Sequence, residues 1–189
     1  MAKSQGFWTS AQQADPKRKF RFLVTVGSMP DGATWYAKSV DKPTITVNAA
    51  SHQFLNHTFY YPGNVTWNAV NLTLVDPVSP DASANLSRIL LESGYHPPVN
   101  VNDTTTVSKS RSVASLQAVV ISQIDSDGVP LETWTLNNAF ITEVNYGGSL
   151  SYGEDALAEV TVQFRYDWAS IETAYQADPG PLGHPASNR

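Results

Sequence analysis

Along residues 158–168, AEVTVQFRYDW, apolar and polar side chains alternate without a slip. Ala158, Val160, Val162, Phe164, Tyr166 and Trp168 take one parity; Glu159, Thr161, Gln163, Arg165 and Asp167 take the other. Successive side chains of an extended chain point to opposite faces, so the pattern predicts a strand with one buried face. The polar face is left to meet bulk water, a partner, or the inside of something.

The same period recurs upstream. KFRFLVTVGS sets Phe20, Phe22, Val24 and Val26 on one face and predicts a first strand ending at the turn GSMPDG. TWYAKSV predicts a second strand pairing back on the first, stopped by Pro43. Residues 44–64, TITVNAASHQFLNHTFYYPGN, predict a hairpin carrying Ile45, Val47, Phe54, Leu55, Phe59 and Tyr60. That is more apolar surface than a connection needs, and it points to a partner. In NVTWNAVNLTLVDP, Val65 and Trp67 are odd while Val70, Leu72 and Leu74 are even. A β-bulge near Asn68 and Ala69 accounts for the slip, as does a strand passing between two environments.

One segment has helical spacing. In VSPDASANLSRILLESGY, Ser79 can cap, Pro80 takes the first helical position and Asp81 suits the positive helix end. Ala82, Leu86, Ile89 and Leu90 form an apolar stripe, and Gly94 ends it. HPPVNVNDTTTVSKSRS predicts a polar, mobile loop. VASLQAVVISQIDSDGVPLETWTLNNAFITEV then predicts two strands around the turn DSDG. Seven or eight strands joined by short turns, with one helix, make a mainly β (α+β) domain: an antiparallel sandwich or barrel with one flanking helix. The domain spans residues 19–175, between an arm at 1–18, with Phe7 and Trp8 as anchors, and a flexible tail at 176–189.

Composition narrows the function. The chain has 189 residues, enough for one domain with a substantial core. Only 15% are charged and the formal net charge is −5, so no basic field draws nucleic acid or an anionic membrane. With no cysteine there is no disulfide frame, thiolate nucleophile or cysteine zinc site. No apolar window is long enough to span a membrane, and the first residues lack a secretory run, which predicts a cytosolic product. Asn56, Asn64, Asn71, Asn85 and Asn102 each head a sequon, read here as ordinary surface Asn and Thr.

Catalytic patterns find no foothold. None of His52, His57, His96 and His184 has HExxH spacing, and no phosphate loop or nucleophile elbow is present. His52 and His57 share the apolar hairpin and could hold a metal, but a packed or exposed loop histidine is the better reading. DSDG lacks the closing Glu of a calcium loop. Glu154 with Asp155, or Glu143 with Glu159, could be set up as a glycosidase pair, but seventeen acids offer many such pairs. Trp67, Trp134 and Trp168 could stack on sugars, yet their alternating context favours core packing. No cofactor, metal or catalytic residue is expected.

The stretch WTLNNAFITEVNYGGSLSYGEDALAEVTVQFRYDW resembles the closing signature of tail tube proteins of contractile-tail, T-even type bacteriophages. The matching elements are Asn138, Ala139, Phe140, Leu150, Tyr152 and the run from Val160 to Trp168. Ile141 and Thr142 stand where family members often carry Pro. WYAKSVDKP and WNAVNLTLVDP, followed by one helix, agree in order, so the resemblance covers residues 19–170. It implies hexameric rings whose strands join in one continuous barrel and which stack into a tube conducting DNA into the host. Six copies giving four strands each, at about 4.8 Å spacing and roughly 40° tilt, make a barrel about 48 Å across.

The resemblance further implies that the hairpin at 44–63 stacks ring on ring, making Val47, His52, Phe54, Leu55, His57, Phe59 and Tyr60 the inter-ring candidates. Glu159, Thr161, Gln163 and Arg165 become candidates for the lumen or an inter-subunit face. The implied partners are further copies of the chain, a tail sheath protein, baseplate and tail terminator proteins, and phage DNA that passes without specific binding; no membrane is involved. The implied setting is a virion tail assembled in the host cytoplasm. A tube-initiating baseplate protein and a bacteriocin or type VI-like tube subunit share the signature. A carbohydrate-binding or glycosidase-like β-sandwich is the alternative of another class.

Overall fold

The computed structural model describes residues 16–29, 36–99 and 105–174. The arm anchors Phe7 and Trp8, the second half of the GSMPDG turn, His184 and the tail at 176–189 lie outside the described residues. Ten strands and two helices follow in the order β1 (Phe22–Val26), β2 (Ala37–Val40), β3 (Ile45–Phe54), β4 (His57–Trp67), β5 (Val70–Val75), α1 (Ala82–Glu92), α2 (Lys109–Leu116), β6 (Val119–Ile124), β7 (Pro130–Asn137), β8 (Phe140–Asn145), β9 (Glu159–Arg165) and β10 (Trp168–Thr173). They form two four-stranded sheets, β1-β6-β7-β10 (sheet A) and β2-β5-β9-β8 (sheet B), and a separate ribbon β3-β4. All pairings are antiparallel.

Alternation builds the core. Val160, Val162 and Phe164 of β9 are fully buried and Tyr166 nearly so, as the sequence predicts. Their neighbours across β5 are Leu74, Leu72 and Val70, also buried, so two adjacent strands of sheet B turn the same face inward. Val24 and Val26 of β1, Val119 and Ile121 of β6, Leu136 of β7 and Ala169 of β10 come from sheet A into the same core. Ala82, Leu86 and Ile89 of α1 and Leu116 of α2 complete it.

Several expectations are corrected. Among the described residues there are ten strands and two helices, because α2 begins within the segment read as a mobile loop. Ser108 caps it, with its hydroxyl accepting from the Arg111 N–H. Strand β2 does not pair back on β1; it pairs with β5, in the other sheet. Phe20 lies before β1 and is exposed. Asp81, not Ser79, caps α1 by accepting from the Ala84 N–H, and Asp76 accepts from Ala82 N and Ser83 N as well. The run 158–168 is not one strand. It breaks after Arg165, turns at Asp167, and restarts as β10 in sheet A. Trp168 is therefore exposed and Ala169 takes the core position. Asp167, held by Lys109 Nζ and Asn138 Nδ2, fixes that corner.

Candidate assembly surfaces

Among the described residues, the β3–β4 ribbon is left almost wholly uncovered. All ten residues of β3 are exposed, and β4 is exposed but for Thr58 and Trp67. Its root is fixed: Trp67 packs against Tyr166, with ring centroids 6.0 Å apart, and Asn68 bonds Thr44 and Thr46. The slip near Asn68 and Ala69 is where the chain leaves the ribbon and enters sheet B, which settles the two sequence readings in favour of a strand changing environment. A bulge does occur, but earlier. Between the pairs Val47↔Val65 and Ala49↔Pro62, Asn48 opposes both Gly63 and Asn64. At Gly63 a Cβ would sit 3.0 Å from the Asn48 carbonyl oxygen, so this close backbone approach suits glycine.

Directly opposed residues of an antiparallel pair share a face, so the register sorts the side chains. Beyond the bulge, Ala50↔Tyr61, His52↔Phe59 and Phe54↔His57 lie on one face, and His57 meets Phe59 edge-on at 4.6 Å. The opposite face there carries Ser51↔Tyr60 and Gln53↔Thr58. Before the bulge the apolar pairs Ile45↔Trp67 and Val47↔Val65 lie on that opposite face. The apolar character thus changes sides between root and tip. Of the sequence candidates, His52, Phe54, His57 and Phe59 come together on one face. Tyr60 is on the other, Val47 belongs to the root, and Leu55 sits at the tip with φ 51°. Tyr61 and Val65 complete the two apolar faces; they share parity in YYPGNV yet lie on opposite faces, because the bulge falls between them.

The outer face of sheet B is the second surface. Glu159, Thr161 and Gln163 are half-buried and Arg165 exposed, all pointing away from the core. One polar row crosses the sheet. Asn71 Nδ2 donates to Asp41 Oδ2 (2.9 Å), Gln163 Nε2 to Asn71 Oδ1 (3.1 Å) and Thr142 Oγ1 to Gln163 Oε1 (3.1 Å). Thr73 and Thr161 hydroxyls pair in the next row, and Lys38 bridges to Glu159. The outer face of sheet A differs. Ser122, Thr133, Thr135 and Ser170 line it, with Ser122 bonded to Thr133.

Glu132 is the chief electrostatic anchor. It lies on the inward side of β7, 7% exposed, where Lys17, Lys42 and the Trp134 indole all donate to its carboxylate. Lys42 also donates to Gln123 Oε1, and Gln123 Nε2 to the Arg18 carbonyl. Burial disfavours the charge, but the three donors outweigh it and pull the pKa down to about 2. One carboxylate thereby ties the N-terminal approach and the segment entering the ribbon to sheet A.

Among the described residues no group of three His, Asp or Glu is placed to hold a metal. Glu143 is level with Gln163, four residues along β9 from Glu159, roughly 13 Å away. Glu154 and Asp155 lie in an exposed loop. Trp67 and Trp134 pack against the core, as their alternation predicts, and Trp168 does not. No helix is long and apolar enough to cross a membrane among the described residues.

No family model and no curated protein matches the chain. Solved structures do. A chain of an extracellular contractile injection system, the PVC sheath/tube terminator in the extended state, is 19% identical with a TM-score of 0.62, over 85% of this chain and 99% of its own. A chain of the PVC sheath–tube complex is 19% identical with a TM-score of 0.61, over 90% and 99%. A chain of the six-fold symmetrised baseplate of the anti-feeding prophage is 16% identical with a TM-score of 0.60, over 86% and 99%. This chain has the fold of those chains.

Proposed function

We propose that this chain is a structural subunit of a contractile-tail tube, forming hexameric rings that stack through the β3–β4 ribbon. The observation that carries the reading is the ribbon itself. Two long strands that no described residue covers, aromatic on one side of the tip, stand on a fold matched nearly end to end by chains of contractile injection particles. A lone two-stranded ribbon is marginally stable in water, so its length and apolar load make sense against a neighbour. The tail resemblance of residues 138–168 adds the phage setting: rings conducting DNA, a sheath outside, and baseplate and terminator proteins at the ends. The chain's acidic balance suits a conduit that does not grip its cargo. The role is mechanical, with no chemical step.

A second reading, a ring at one end of the tube, is favoured by the same fold in a tube-terminating cap and a baseplate. Sedimentation and negative-stain electron microscopy of the purified chain at rising concentration test both. Long tubes support the main subunit, single or few rings support the tube end, and a chain that remains monomeric throughout overturns the reading.

A further inference from the structure

Two features of the chain remain unused by ring stacking. The first is a groove of about 970 Å³ between the β1 edge of sheet A and the β2 edge of sheet B. Phe20, Phe22, Val40, Ile121 and Trp134 give it apolar walls. Lys17, Lys19, Lys38 and Lys42 stand around it. Setting Asp41, Glu132 and Glu159 against them still leaves the rim positive, on a chain whose net charge is −5.

The second feature is the loop at 146–158 between β8 and β9. It exposes Leu150 and Tyr152 almost completely and Leu157 largely, and carries Glu154 and Asp155 with no basic residue. Its root is held: Tyr146 shares a hydrogen bond with Ser87 (3.0 Å), and Gly147 N–H donates to Asn145 Oδ1 (3.2 Å) at a φ of 106°. A fixed root with an apolar, acidic tip is shaped for a partner.

We propose that this loop fills the β1/β2 groove of the next copy in the ring, which rests on the self-assembly reading above. Groove and loop complement each other in polarity and in charge. Their placement also suits a ring. Sheet B runs β2-β5-β9-β8, so the groove lies along one edge and the loop beside the other. Ala37 in the groove is level with Leu74, and Leu74 with Val160 beside the loop root. A neighbour set edge to edge on sheet B brings the loop to the groove, and such a head-to-tail contact closes into a ring when the rotation between copies closes.

The absence of native cysteine makes the test direct. Ser39→Cys and Leu157→Cys chains are purified separately, mixed under assembly conditions and oxidised. A disulfide between the two variants, well above either variant alone, is expected. Leu150→Asp with Tyr152→Asp should raise the concentration needed for rings at least tenfold while leaving thermal melting unchanged. Rings that form without the mixed disulfide, together with normal assembly of the Asp variant, overturn this contact and leave the tube reading standing. A Trp8→Cys crosslink to Ser39→Cys within one chain of an assembled ring gives the groove to the chain's own arm and likewise overturns it. A wild-type chain that never assembles overturns both readings.

Discussion

Strand β9 and the β3–β4 ribbon are written in the same code and meet opposite fates. Both are extended over seven or more residues and carry large apolar side chains. In β9 the odd residues face out and Val160, Val162 and Phe164 lose all contact with water. In the ribbon both faces stay exposed, Phe54 at 62% and Phe59 at 44%. The difference is coverage. Sheet A and two helices lie over β9, whereas the ribbon pairs with no third strand. An apolar residue in β9 therefore stabilises the monomer, whereas one on the exposed tip of the ribbon adds little to it.

The largest expected effect tests the covered side. Val162→Lys places an ammonium among fully buried side chains with no carboxylate in the surrounding core cluster. The cost is on the order of 4 kcal/mol after relaxation, a large share of the roughly 5–15 kcal/mol that holds a domain. Urea denaturation should show an unfolded or nearly unfolded chain. A melt within a few degrees of wild type would mean that β9 is not covered as described.

Second comes Glu132. Glu132→Gln retains shape but weakens the bonds from Lys17 and Lys42, at about 2 kcal/mol for charge-assisted pairs. The pH sign follows from its depressed pKa. The contribution is present in full above the unfolded carboxylate range near 4.5 and is lost as pH falls toward about 2. The gap in melting temperature between wild type and Glu132→Gln should be widest at neutral pH and close between those values. A gap constant with pH would remove the charge from the explanation. Hydrogen exchange should also rise at residues 17–22 and 42–47 together, since one carboxylate holds both.

Third, Phe54→Asp with Leu55→Asp tests the uncovered side. Both positions are exposed, so monomer stability should change by only about 0.5 kcal/mol, while tube yield falls to the detection limit. Ser51→Asp, on the polar face of the same tip, should do far less. Equal damage from both faces would show that the tip is gripped all round.

How legible this was in the sequence depended on whether an element's burial was apolar and local. Strands β5, β6, β7 and β9 and helix α1 announce themselves because their own side chains carry the period. Helix α2 does not. Its buried face holds Ser112 and Ser115, whose hydroxyls donate back to Ser108 and Ser112 carbonyls, so it packs without an apolar stripe. Only the Ser108 cap marked it. Strand β2 was visible, but its partner was not, since pairing with β5 is fixed by Asp41 N–H reaching Asn71. The break at Asp167 hid within unbroken alternation, because the chain turns a corner there between sheets. The ribbon's apolar load was legible. Which face carries it was not, because the side changes between root and tip and only the register of both strands reveals that.

The smallest expected effect on the monomer belongs to Gln163→Lys, and it sharpens the comparison most. Gln163 sits in the polar row between Asn71 and Thr142, with Glu143 opposite. Losing two half-exposed hydrogen bonds and gaining a carboxylate neighbour should leave the monomer within about 1 kcal/mol of wild type. In a hexameric ring the change adds a circle of positive charge. If the outer face of sheet B lines the lumen, tubes of this variant should retain duplex DNA at low salt and release it as salt rises. Thr135→Lys adds the same charge to the outer face of sheet A. Retention by Gln163→Lys alone assigns the lumen to sheet B, where the polar row meets passing DNA. Retention by Thr135→Lys alone moves the lumen to the hydroxyl-rich face and makes the polar row a surface turned toward a neighbour or the sheath.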